Sequence, residues 1–315
     1  MRALLLCAGL GTRLRPLTEL SPKPCVPVID RPLGAYALEV LAGIGVREVV
    51  VNTHHLGDRV APTLGPWATR AGITLHRVHE PTLLGTGGAI RNALPRLGGD
   101  DFVVFNGDVL AWPDLGAALE HHRQCGARIT LVVRHDPRAA RLGAIEVDAT
   151  GRVRRILGEG PPPDEPVRAC VFTGVYVVSP SLRDDLPAEG CVVRHTLRAL
   201  LWRGETVAAV VDPCPWFDLG TLRTYLEVQL RALGEGIAPR LGPFPDGRWL
   251  GEGVEIAPGA RVGTGVVLGH GVRVVGTGAV TDVVAWPGAT VVAPLERAIV
   301  TPEGVVGVPF VPEEA

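Results

Sequence analysis

From residue 1 to about 232 the chain alternates short, strongly apolar runs with longer stretches whose apolar residues recur at helical spacing. Segments 3–7, 48–52, 73–79 and 102–105 read as strands buried on both faces, and 33–44, 56–64 and 88–97 as the helices between them. That βαβ rhythm predicts an α/β fold with a doubly wound, mostly parallel sheet. Ligands of such sheets lie beyond the carboxyl ends of the strands. The loops after Leu6, Val78 and Phe105 are therefore expected at one cleft. Between 129 and 178 the pattern turns strand-rich, with strands at 129–134, 143–147, 153–156 and 171–178, read as an extension of the core. A helix at 192–202, a strand at 207–211 and a closing helix at 222–233 follow.

Beyond a Gly- and Pro-rich stretch the period becomes six. Leu250, Ile256, Val262, Leu268, Val274 and Val280 fall at unbroken six-residue intervals, and Val254, Ala260, Val266 and Val272 keep the same interval. Small and apolar residues in that register predict a parallel β-helix whose faces are single hexads. The run suffices for about two turns, with 285–311 adding a partial coil and a cap. The expected organisation is thus an α/β domain over 1–233, a linker over 234–248 and a repeat tail over 249–315.

Composition narrows the partners. The 315 residues are 46% hydrophobic with a net charge of −2, so no basic surplus points to nucleic acid. No apolar stretch approaches the ~20 residues that cross a bilayer. The six cysteines are scattered, without C-x-x-C pairs, and read as reduced core thiols. The start runs straight into the first strand, so no signal peptide is expected and the protein is read as cytoplasmic.

The densest chemistry lies in LLLCAGLGTRLRPLTELSPKPCVP, from Leu4 to Pro27. An apolar run ends in Gly9-Leu10-Gly11, a turn able to bring bare N–H groups to an anion. Arg13 and Lys23 add fixed positive charge. No Gly-Lys-Ser/Thr follows, which excludes a Walker A loop, and Leu14 occupies the place of a dinucleotide fingerprint's third glycine. Gly9, Gly11, Thr12, Arg13, Leu14, Pro22, Lys23 and Pro24 together resemble the G-x-G-T-R-L and P-K-P signature of the sugar-1-phosphate nucleotidyltransferases. Cys7 and Cys25 stand where such sequences usually carry small or aliphatic residues.

That resemblance implies a Rossmann-like domain that transfers a nucleoside monophosphate from an NTP to a sugar 1-phosphate, with release of pyrophosphate. Asp108, in Asn106-Gly107-Asp108, and Asp218, in Trp216-Phe217-Asp218-Leu219-Gly220-Thr221, match the family's two metal-binding carboxylates, and the implied ion is Mg²⁺. Arg13 and Lys23 take the catalytic roles. Ala8, Gly9, Gly11, Thr12, Glu80, Gly85 and Thr86 are the implied nucleotide contacts, and Asn106, Glu159 and Gly174 the sugar contacts. In Gly158-Glu159-Gly160-Pro161 the family's V-E-K-P lysine is replaced by Gly160. The tail resembles the left-handed β-helices of tailed family members and implies a homo-oligomer joined through it. Mannose 1-phosphate with GTP is the first substrate pair, on overall likeness to tailed guanylyltransferases. N-acetylmuramate 1-phosphate with UTP comes next, then glucose 1-phosphate with a thymidine nucleotide. A silent, nucleotide-sugar-binding paralogue is the competing class. His270 is the tail's one candidate acyltransferase base, and two coils offer little wall for an acyl donor.

Overall fold

The computed structural model describes residues 1–237 and 241–308. Parts of the expected linker (238–240) and of the expected cap (309–311) lie outside the described residues. The chain divides into two compact units, one of 1–10, 22–25 and 33–216, the other of 11–21, 26–32 and 217 onward.

The first unit is built on a nine-stranded sheet. Its main path runs Val153–Ile156, Ala144–Val147, Arg168–Val178, Phe102–Asn106, Arg2–Leu6, Glu48–Thr53, Thr74–His79, with Ile129–Arg134 and Ala208–Val211 branching from the 168–178 strand. The 2–6 strand pairs in parallel with 48–53 and 102–106, and 48–53 in parallel with 74–79. Strand 168–178 instead runs antiparallel to 102–106, 129–134 and 144–147. The expectation of a mostly parallel sheet is corrected to a mixed one, with the strand-rich stretch continuing the same sheet.

Period-two alternation loads both faces. Ala3 and Leu5 pack with helices Leu33–Gly43, Val60–Arg70 and Leu115–Cys125, whereas Leu4 packs with Gly85–Leu97 and the region around Leu197–Leu201. The 115–125 helix is additional to the expected elements. A single-turn π-helix, Val192–Leu197, leads into Arg198–Trp202 where one continuous α-helix was expected.

The second unit holds helix Leu222–Gly234 and a seven-stranded sheet. Strands 18 residues apart pair in parallel, as Arg248↔Val266, Glu255↔Arg273 and Ala260↔Gly278. This offset is three hexads, so equivalent repeat positions stack on one another. Later coils shorten, Arg273 pairing with Thr290 and Val283 with Ala298. Gly304–Gly307 turns back antiparallel on Thr290–Thr301. Leu268, Val274 and Val280 are fully enclosed, whereas Leu250 and Ile256, at the same repeat position, are 43% and 42% exposed. His270 is exposed, edge-on to Trp249. No helix among the described residues is long and apolar enough to cross a membrane.

Candidate active site

In the first unit the carboxyl ends of 48–53, 2–6 and 102–106 lie side by side, with Leu6 opposite both Asn52 and Asn106. Sheet order reverses here, since the chain returns to opposite sides of the 2–6 strand, and such a reversal opens a crevice. A chain of hydrogen bonds shapes its rim. The Cys7 N–H donates to Asn52 Oδ1 (2.8 Å), and Asn52 Nδ2 donates to Glu80 Oε1 (2.8 Å). Glu80 Oε2 accepts from the Leu84 N–H (3.2 Å) and is enclosed with the rest of its side chain. Glu80, expected at the nucleotide, thus has both oxygens committed to protein donors. It braces the loops after 2–6 and 74–79 from beneath.

Above that brace, Ala8 is buried and Gly9 exposed, with open space where a Cβ on Gly9 would stand. Cys7 is buried and burial pushes its thiol well up, with Cys25 nearby adding to the effect; burial pushes Cys25 up to about 12. Both stay protonated and take no nucleophilic part. Expected as core thiols, four cysteines are buried, while Cys191 is half-buried and Cys125 exposed.

Asp108 follows the 102–106 strand through Gly107, whose N–H donates to the Leu6 carbonyl oxygen (2.9 Å). A Cβ on Gly107 would stand 2.5 Å from that oxygen and 2.9 Å from Pro24 Cγ, so N-G-D and P-K-P interlock at this point. The result sets Lys23 Nζ 3.2 Å from Asp108 Oδ2, with the lysine side chain 7% exposed and the carboxylate 46%. A buried ammonium requires such a partner.

Asn106 faces the 168–178 strand. Gly174, at φ +82°, sits where the pairing with 129–134 slips, and a Cβ there would stand 2.9 Å from Asn106 Nδ2. Asn106 Oδ1 is buried with no hydrogen-bond partner among the described residues. Beside it the Trp216 indole N–H donates to the Thr173 carbonyl oxygen (2.8 Å), which ties the start of W-x-D-x-G-T to this bulge.

Two expected contacts have structural employment. Thr86 Oγ1 accepts from the Val192 N–H (2.9 Å), and Gly85 and Gly88 admit the backbone of the 187–190 loop, and Gly87 the Pro187 ring, at distances a Cβ would not tolerate. Glu159 closes a hairpin with Ile156 and ion-pairs with Arg198. Gly160, at φ +134°, would place a Cβ 2.8 Å from the Arg154 carbonyl oxygen, so a lysine has no room in this backbone.

The second unit carries the remaining candidates. Gly11 is left-handed (φ 60°, ψ 33°) and starts the one-turn 3₁₀ helix Thr12–Leu14, which buries Leu14 and leaves Thr12 and Arg13 outside. Of the glycine pair, only Gly11 has a conformation that demands glycine. Arg13 Nη2 lies 3.8 Å from Asp218 Oδ2, with side chains 67% and 36% exposed. A Cβ on Gly220 would come within 3.0 Å of both groups, so this glycine makes room for the pair. Thr221 then caps the 222–234 helix in a reciprocal bond with Thr224.

No group of three or more His, Cys, Asp or Glu is arranged to hold a metal among the described residues. Mg²⁺ needs fewer protein ligands, because one or two carboxylates and substrate phosphates complete its oxygen shell. Asp108 and Asp218 have that donor chemistry.

Asn52 and Gly107 were not singled out in the sequence. Asn52 carried a signal, a polar residue closing the apolar run Val49-Val50-Val51.

The nucleotidyl transferase family model matches residues 2–235. The chain belongs to the nucleotidyl transferase family. It is 34% identical over 281 residues to a mannose-1-phosphate guanylyltransferase of Mycobacterium tuberculosis, covering 86% of this chain and 76% of the relative. A glucose-1-phosphate thymidylyltransferase of Streptomyces antibioticus is 30% identical over 279 residues, covering 85% and 76%. Among solved structures, HddC of Yersinia pseudotuberculosis superposes with a TM-score of 0.60 at 22% identity, over 72% of this chain and 97% of that one, and supports the fold alone. Enzymes of this family generally depend on a divalent metal.

Proposed function

We propose that this nucleotidyl transferase joins a nucleoside monophosphate from an NTP to a hexose 1-phosphate, with GTP and mannose 1-phosphate as its substrates. The observation that carries the reading is the buried Lys23 held against Asp108 at the switch point of the sheet. The 34% identity to a guanylyltransferase supports the choice of pair.

A phosphate oxygen of the sugar phosphate attacks the α-phosphorus in line; the new P–O bond forms as the bond to the β-phosphate's bridging oxygen breaks, and pyrophosphate leaves. No general base is required, since a phosphate monoester's second pKa is about 6. Catalysis is positioning and charge neutralisation. Lys23 meets the α-phosphate and the incoming phosphate, and Arg13 the departing pyrophosphate. Asp108 and Asp218 would hold Mg²⁺, which when bound supplies Lewis-acid charge to the phosphate oxygens. The backbone of Ala8, Gly9, Gly11 and Thr12, with Gly85 beside them, receives the nucleotide, Glu80 and Thr86 acting through the loops they brace. Asn106, whose side chain is seated against Gly174, accepts a sugar hydroxyl at Oδ1, and Glu159 faces the sugar from its hairpin.

A second reading has its own support. Gly160 cannot be a lysine in this backbone, which favours UTP and N-acetylmuramate 1-phosphate, since members resembling muramate-phosphate uridylyltransferases also lack that lysine. We further assign the 18-residue stacking to a left-handed β-helix tail, following a domain over 1–233 and a linker over 234–248, through which the cytoplasmic enzyme forms a homo-oligomer.

A matrix of NTPs against sugar 1-phosphates, read as Mg²⁺-dependent pyrophosphate release, tests all of this. GTP with mannose 1-phosphate is expected to give the highest kcat/KM. Turnover confined to UTP with the muramate sugar selects the second reading. Binding of a nucleotide sugar without pyrophosphate release from any pair identifies a silent paralogue and sinks both.

A further inference from the structure

The segment just after the signature lysine is held by the tail unit. Residues 26–32 group with the 222–234 helix and the six-residue repeats. They form a small hairpin, Pro27–Val28 against Arg31–Pro32, with Ile29 at φ 55° in its turn. A β-branched residue there is strained, and persists only where its surroundings impose it.

The surroundings are visible. The Ile29 N–H donates to Gln229 Oε1 (2.8 Å), and the Tyr225 hydroxyl donates to the Pro27 carbonyl oxygen. Trp286, beyond the 273–285 strand of the tail, donates its indole N–H to the Tyr225 oxygen (3.0 Å). Tyr225 and Gln229 are fully buried and Trp286 nearly so. Arg297, also from the tail, ion-pairs with Glu227 on the same helix (3.5 Å). Three segments, separated in sequence by 198 residues (Pro27 to Tyr225) and 61 residues (Tyr225 to Trp286), thus meet in one buried polar relay. Relays of this kind specify one arrangement because every alternative leaves a buried polar group unpaired. Lys23 lies four residues before Pro27 along the chain, joined by Pro24, Cys25 and Val26. Two prolines in that stretch leave little slack.

We propose that Trp286 is a positioning residue for nucleotidyl transfer: by fixing Tyr225 on Pro27, the repeat tail sets the 26–32 hairpin and, through the stiff connection, Lys23. The inference rests on the activity proposed above. It makes the tail part of the catalytic apparatus, in addition to the oligomer contact proposed above.

The test uses the full chain as wild type, Trp286→Phe, Tyr225→Phe and the double variant. Hydrogen exchange of peptides covering 26–32 should quicken in each variant, while peptides covering the 2–6 and 102–106 strands keep their protection. At saturating substrates kcat should fall roughly threefold in Trp286→Phe and roughly tenfold in Tyr225→Phe, with KM little changed. The double variant should be no slower than Tyr225→Phe, because the two groups act in series. Unchanged exchange at 26–32 overturns the proposal. So does quickened exchange with wild-type kcat, or losses that simply multiply in the double variant. A wild-type chain that releases no pyrophosphate from any substrate pair defeats the assigned activity instead, and the exchange data then still decide whether the tail governs the hairpin.

Discussion

Each unit of this protein holds one ion pair of candidate site residues, and the two are built on opposite principles. Lys23 is sealed into the first unit and placed 3.2 Å from Asp108, between a strand end and two prolines. Arg13 stands on the second unit's surface, 3.8 Å from Asp218, on a single helical turn. The first pair is preorganised, its cost of desolvation already met by folding. The second is a loose surface contact of the sort that contributes little on its own and is weakened by salt. The contrast separates a charge fixed in place from one left at the surface.

The largest expected effect removes what the two pairs share. Asp108→Ala and Asp218→Ala should each lower Mg²⁺-dependent turnover by at least about a thousandfold, the equivalent of several kcal/mol of lost charge stabilisation. Circular dichroism should show both variants folded. Near-normal rates in either one would break the assignment of paired carboxylates.

Next comes the contrast itself. Lys23→Met should lose on the order of a hundredfold or more in kcat, as removal of a preorganised donor does. Arg13→Met should express its loss mainly in the KM for NTP, and wild-type KM should rise with salt in a way that Arg13→Met does not. Steady-state kinetics at two ionic strengths read both. Identical kcat and KM patterns for the two variants would erase the distinction.

The smallest effect concerns enclosure within the tail. Leu268 and Leu250 occupy the same position of the six-residue repeat, yet only Leu268 is enclosed. Leu268→Ala should cost about 2–5 kcal/mol of stability by leaving a cavity. Leu250→Ala should stay within about 0.5 kcal/mol. Urea unfolding of the full chain measures both. Equal losses would mean that Leu250 is covered in solution.

Much of this is legible in the sequence. The apolar runs around Leu4, Val50 and Val104 announced buried strands, and the six-residue register announced stacking at multiples of six. Strand direction was not legible. Residues 171–178 are apolar on both faces, and such a run carries no mark of whether it lies parallel or antiparallel. The 115–125 helix was missed because its buried stripe is short and ends in His122, a polar residue satisfied by Thr130 Oγ1 at 2.8 Å. Within the site, the types of residue were readable and their employment was not. Glu80 and the glycines at 85–88 looked like ligand contacts. Their roles depend on Asn52 and on the 187–190 loop, partners that no local pattern reveals.

The hairpin at Gly160 has a practical consequence for anyone redirecting this enzyme toward other sugars. Because its main chain is folded against Arg154 and Arg155, a relative's charged side chain cannot be grafted there by changing one codon. A side chain at this position calls for a different loop path, and introducing one means transplanting residues 153–161 whole.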